Sequence, residues 1–209
     1  MAVFEAFLKQ NDLAALLKPR EARRPFPAGC ERERWHALPE DAKRELLDWG
    51  REALSGYPVL CATQFMAFVR TGDRQAYEAP YFKRRMNLMG AALAECIQWD
   101  GTYLDAVIDG LWLICEESSW VVSAHNGSSH AHQRPASERP LPDIQNPYID
   151  LFAAQTAATL AHVLALLQRR LDAVSPLIAR RVRLEIERRV LLPFMTRDDS
   201  GGWASSEAI

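Results

Sequence analysis

The stretch PYIDLFAAQTAATLAHVLALLQRRLDAVSP, residues 147–176, decides the fold. Its Ile149, Phe152, Thr156, Leu160, Val163, Leu167 and Leu171 recur at intervals of three and four, the spacing that aligns side chains on one face of an α-helix. Pro147 suits the first turn, where a missing N–H leaves no bond unmade. At the other end Ser175 and Pro176 read as a cap and a first-turn proline, so a second helix begins where the first stops. That second helix is expected to run to about Leu192 and to be stopped by Pro193.

Working upstream, Tyr103 to Ser118 places Leu104, Ile108, Leu111 and Cys115 on one helical face, and the additional Trp112 and Ile114 suggest burial on more than one side. Before it, Pro80 is expected to open a helix carrying Phe82, Met86, Met89, Leu93 and Ile97, followed by a turn at Trp99, Asp100 and Gly101. Gln64 to Arg70 reads as a short helix stopped by Gly72. Pro39, Glu40 and Asp41 give a further helix its first-turn proline and acidic start; its stripe is Ala42, Leu46, Trp49 and Ala53, and Ser55, Gly56 and Pro58 end it. Phe4 to Leu17 predicts a short leading helix, and the Pro- and Arg-rich Lys18 to Arg34 a connector.

No segment alternates apolar and polar residues in the manner of a strand. The fold is therefore read as all-α, with short connections making successive long helices antiparallel hairpins. The expected divisions are a leading helix and connector over 1–38, a helical array over 39–198 interrupted by a long loop at 119–146, and a tail at 199–209.

With 209 residues the chain suffices for one substantial core, and 48% hydrophobic with 25% charged residues is an ordinary globular balance. A net charge of -2 carries no electrostatic footprint for nucleic acid. The sequence shows no run of roughly 18 to 20 apolar residues of the kind that spans a bilayer, and Met1 to Gln10 lacks the basic start and cleavage site of a signal peptide. The expectation is a cytoplasmic chain with neither nucleic-acid nor membrane partners. Cys30, Cys61, Cys96 and Cys115 stand singly, which argues for reduced thiols; Cys96 and Cys115 fall on apolar faces, as small buried hydrophobes do.

Three stretches carry a likeness. Asp109-Gly110-Leu111-Trp112-Leu113-Ile114-Cys115-Glu116-Glu117-Ser118-Ser119-Trp120 with Ala124-His125-Asn126 resembles a helix ending in Glu-Glu-x-x-Trp and an Ala-His-Asn loop of the heparinase II/III-like family of polysaccharide lyases. Asp150-Leu151-Phe152-Ala153-Ala154-Gln155-Thr156-Ala157 and the segment from Arg183 to Phe194 are similar to the same family, as are Arg70 to Arg74 and Phe82 to Arg85. The resemblance implies an incomplete (α/α) toroid of helical hairpins and action on a uronic-acid-containing polysaccharide. Ser123 stands where the family pattern has Pro. After Trp203 the chain ends in Ala204 to Ile209, where relatives continue into an Asn-Asn-Trp-type motif, later Tyr and His residues and a β-sandwich. The chain alone is accordingly expected to be inactive.

Cleavage by β-elimination needs a base for the proton α to the uronate carboxylate, and donors to stabilise the negative charge that develops there. His125 and Asn126 offer both types side by side and are the catalytic candidates. Trp120 is a candidate platform for a sugar face, and Glu116, Glu117 and Tyr148 complete the substrate-binding set; one of the two glutamates could orient His125. Adjacent helical positions point apart, so Glu116 and Glu117 are not expected to share one site. The plainer alternatives are a solvated loop histidine, an Asn126-Gly127 turn and a core tryptophan. His125, His130 and His132 match no zinc spacing, so neither a metal nor any other cofactor is expected. Arg181, Glu185 and Arg189 form i,i+4 pairs and read as a solvated face. The expected partner is an acidic polysaccharide or oligosaccharide, with self-association through the open end of the toroid. The rival readings are a non-catalytic carbohydrate-binding or structural module, and a helical module that captures peptides.

Overall fold

The computed structural model describes residues 9–16, 26–126, 139–147 and 149–196. Among them every regular element is helical. In chain order these are α1 (Leu13–Leu16), α2 (Arg32–His36), α3 (Glu40–Ala53), α4 (Ala62–Thr71), α5 (Gln75–Gln98), α6 (Leu104–Glu116), a 3-10 turn (Ser123–His125), α7 (Leu151–Val174), α8 (Pro176–Ile186), a π turn (Glu187–Leu191) and α9 (Leu192–Thr196). Within the described part of the leading helix, a bend at Asn11 separates residues 9–10 from α1.

Helix α5 is the hub, with α3, α4, α6 and α7 all packed against it. Tyr81, Leu88, Ala91, Ala92 and Glu95 are buried on several sides of it. The stripe expected from periodicity lies at its margins instead: Met89, Leu93 and Ile97 are half-buried, and Met86 is exposed. A helix enclosed all round carries no single apolar face for periodicity to detect. The close approach of α3 is set by Gly50, where a Cβ would lie 2.2 Å from that of Ala94.

Helices α5 and α6 run antiparallel. Arg84 in the first half of α5 donates to the Leu113 carbonyl late in α6, at 3.4 Å, while Glu95 near the end of α5 accepts from Tyr103 N at 3.2 Å and Gly101 N at 3.0 Å. Between them Trp99 adopts the left-handed region at φ 59°. The expected reversal at Trp99 to Gly101 is thus a closed turn tied down by one buried carboxylate.

Two prolines do not act as the sequence suggests. Pro80 lies inside α5, because the turn before it is held independently: Asp73 Oδ1 accepts from Ala76 N at 3.2 Å, Arg74 pairs with Glu78 at 2.9 Å, and Tyr77 packs edge-on against Phe65. Pro193 does not stop the last helix either. The π turn at Glu187–Leu191 widens the coil just ahead of it, where a proline ring would otherwise press on the carbonyl four residues back; the chain continues through α9 with Pro193 buried.

Helix α7 begins at Leu151 rather than at Pro147. Asp150 caps it, Oδ1 accepting from Ala153 N at 2.7 Å. Its stripe is as expected, with Thr156, Leu160, Val163, Leu167 and Leu171 all buried. By length and composition α7 could also cross a bilayer, but that stripe lies in the main core with Leu111, Ile114 and Val182. Ser175 caps α8 with Pro176 in the first turn, as expected.

Candidate functional site

The segment after α6 gathers the residues singled out in the sequence. Glu117 ends α6 in a buried cage: Arg85 donates to its Oε2 at 2.6 Å and its Oε1 at 3.1 Å, and Arg84 to Oε1 at 3.2 Å. Burial works against the charge of Arg85, yet Glu117, Tyr81 and Tyr77 together raise its pKa above the ordinary value. Arg85 Nε also donates to Thr156 at 2.9 Å, and Thr156 in turn is 2.9 Å from the Tyr81 hydroxyl, which donates to the Trp120 carbonyl at 2.7 Å. This chain of bonds locks the end of α6 to α5 and α7.

Trp120 is a core residue. It is 2% exposed, its indole N–H donates to the Ile114 carbonyl at 2.9 Å, and the Arg189 guanidinium lies 5.0 Å from its ring centre. No accessible face remains for a sugar, because the indole closes the end of its own helix. Arg189 reaches this position from Glu185, 2.6 Å away, which is itself 3% exposed. The Arg181, Glu185 and Arg189 pairs are present, but the last two are buried against the carbonyl end of α6, with Arg189 donating to the Cys115 carbonyl at 3.1 Å. The expectation of a solvated face is corrected accordingly.

His125 ends the 3-10 turn with its side chain 28% exposed. Nδ1 lies 2.7 Å from Asp150 Oδ2, and the ring stacks on Phe152 at a centroid distance of 5.3 Å. The residue that orients His125 is thus Asp150, and neither glutamate does so. Burial raises the Asp150 pKa, while the bonds from Ala153 N and His125 work in the opposite direction. A carboxylate that accepts from Nδ1–H selects the tautomer whose unprotonated nitrogen is Nε2, an arrangement that recurs in acid–base sites.

Asn126, expected to serve the substrate carboxylate, has its amide engaged elsewhere: Nδ2 donates to the Arg139 carbonyl at 2.8 Å and the Leu141 carbonyl at 3.1 Å. It pins the returning arm of the loop. That arm forms one wall of a pocket of about 230 Å³ whose lining includes Leu141, Pro142, Tyr77, Arg84, Glu116 and Glu117. Glu116 stands exposed at the rim and Glu117 lies buried behind it, so the two adjacent carboxylates differ in exposure although both line this one pocket. Tyr148, and His130 and His132 with the middle of the loop, lie outside the described residues. Among the described residues no group of His, Cys, Asp and Glu is placed to hold a metal.

Asp150, Tyr77, Arg84 and Arg85 carry no motif in the sequence that marks them as site residues. Only Asp150 carried a local signal, an acidic residue just ahead of a strong apolar stripe, which is the mark of a helix cap. Compared with known proteins, the chain matches no family model and no curated protein.

Proposed function

We propose that this chain is the helical part of a heparinase II/III-like polysaccharide lyase, an incomplete (α/α) toroid that binds uronic-acid-containing polysaccharide and supplies His125 as the base of a β-elimination. The observation that carries the reading is the contact of 2.7 Å between His125 Nδ1 and Asp150. In the proposed reaction Nε2 takes the proton α to the uronate carboxylate, the electron pair forms the double bond, and the glycosidic oxygen leaves with a proton from a second donor. Asn126 serves as a positioning residue through the Arg139 and Leu141 carbonyls. Self-association of the incomplete toroid is also proposed, and gel filtration across a concentration series reports it.

The test is incubation with a panel of acidic polysaccharides, following the ultraviolet absorbance of the unsaturated uronide, with binding measured by calorimetry in parallel. Turnover by the wild type that falls by about 10²-fold or more in His125→Ala, on the scale of losing a general base, supports the lyase reading and overturns the expectation that the chain alone is inactive. Binding without turnover, weakened in His125→Ala, is the outcome expected of an inactive lyase part and of the non-catalytic carbohydrate-binding alternative alike. Neither binding nor turnover on any member of the panel sinks both.

A further inference from the structure

The pocket beside α4 has a chemistry of its own. Leu60, Phe65, Leu113, Leu141 and Pro142 make an apolar wall, and Tyr77 and Arg84 the polar one. Two buried guanidinium groups, Arg84 and Arg85, share the single carboxylate of Glu117. The nearby buried Glu78 has its own partner in Arg74, so Arg84, Arg85 and Glu117 together carry one positive charge in excess behind the pocket wall, facing the carboxylate of Glu116 at the rim. Arg84 uses Nε on the Pro58 carbonyl and Nη1 on Leu113 and Glu117. Among the described residues neither its Nη2 nor the Tyr77 hydroxyl has a hydrogen-bond partner. Burial, reinforced by Glu117, pushes the Tyr77 phenol well above its ordinary pKa, so it stays a donor at neutral pH. Glu116 at the rim is exposed and screened by solvent, which weakens its repulsion of an incoming anion.

We propose that this pocket binds a small organic acid with an apolar body about one ring in size, its carboxylate taken by Arg84 Nη2 and the Tyr77 hydroxyl and its body by the Phe65 and Leu113 wall. About 230 Å³ is below the volume of about 300 Å³ at which drug-sized pockets begin, which limits the guest to a single ring. The inference involves neither His125 nor Asp150, although Glu116 and Glu117, substrate-binding candidates on the lyase reading, line the same pocket.

Cys61 lines the pocket and is exposed, whereas Cys96 and Cys115 are buried. Protection of Cys61 from iodoacetamide, read by peptide mass spectrometry on the full chain, therefore reports occupancy, and unlabelled Cys96 and Cys115 report an intact fold. Benzoate should slow Cys61 alkylation several-fold, with acetate, benzyl alcohol and galacturonate much weaker at equal concentration. Tyr77→Phe keeps the packing on Phe65 and should raise the half-protecting benzoate concentration about tenfold, the scale of one hydrogen bond to a charged group. Glu116→Gln, which removes the rim charge, should lower it two- to threefold. Equal protection by benzyl alcohol or acetate, better protection by galacturonate, no protection at all, or a Tyr77→Phe variant that behaves as wild type would each overturn the proposal. Polysaccharide turnover lost in His125→Ala while benzoate protection persists would separate the two sites.

Discussion

Arg85 donates to Glu117 at 2.6 Å with both side chains buried, and Arg84 adds a second guanidinium to the same carboxylate at 3.2 Å. Removing the carboxylate leaves two desolvated cations facing each other. Glu117→Ala is expected to lower the unfolding free energy by about 3–5 kcal/mol, the usual cost of breaking a buried ion pair from one side. Urea denaturation followed by circular dichroism measures it; a loss under 1 kcal/mol would show that the cage is solvated.

The Glu185 carboxyl gives stability a pH dependence. Burial pushes its pKa up, but Arg188 at 2.8 Å and Arg189 at 2.6 Å outweigh that and hold it below its ordinary value of 4.5. A carboxyl depressed in the folded state contributes stability that is complete above its unfolded pKa and is lost as pH falls through the folded one. The stability gap between wild type and Glu185→Gln should be widest at neutral pH and should narrow as the pH drops below about 4. Urea midpoints at several pH values test this, and a gap constant with pH would refute it.

Thiol reactivity should separate the four cysteines. Burial pushes Cys96 and Cys115 up to about 12, so neither presents a thiolate at neutral pH. Cys61 should alkylate first and half-buried Cys30 later, with Cys96 and Cys115 labelled only in denaturant. Rapid native labelling of Cys115 would contradict the packing of α6 against α8.

Ser123 is 2% exposed and its hydroxyl has no hydrogen-bond partner among the described residues. An unmade hydrogen bond in the interior costs about 1–3 kcal/mol, so Ser123→Ala should stabilise the chain by roughly 1 kcal/mol. Thermal unfolding of the variant decides it; a lowered midpoint would mean that the hydroxyl is satisfied.

Local pattern carried much of the fold. Ser175 with Pro176, Gly72 at the end of α4 and the stripe from Thr156 to Leu171 all behave as their spacing predicts, because caps and one-sided burial are written within a few turns of chain. Helix α5 was legible as a helix but not in its orientation, since Arg84, Arg85 and Glu95 are buried through partners 20 or more positions away or on other helices. The same reason hid the Arg189 and Glu185 pair: an i,i+4 spacing looks alike whether the face meets water or the Trp120 ring. At the site, His125 was visible as a residue type, whereas its partner Asp150 lies 25 positions along the chain, across the loop.

The π turn at Glu187–Leu191 sets the angular phase of everything after it. A helix advances roughly 100° per residue and a π turn less, so the turn absorbs about one extra residue; deleting one residue here would restore ordinary coiling with Pro193 still facing inward but its ring pressed against the carbonyl four residues back. Chain length through this turn is therefore under a geometric constraint that composition does not reveal. Substitutions there should be tolerated far more readily than insertions or deletions of a single residue.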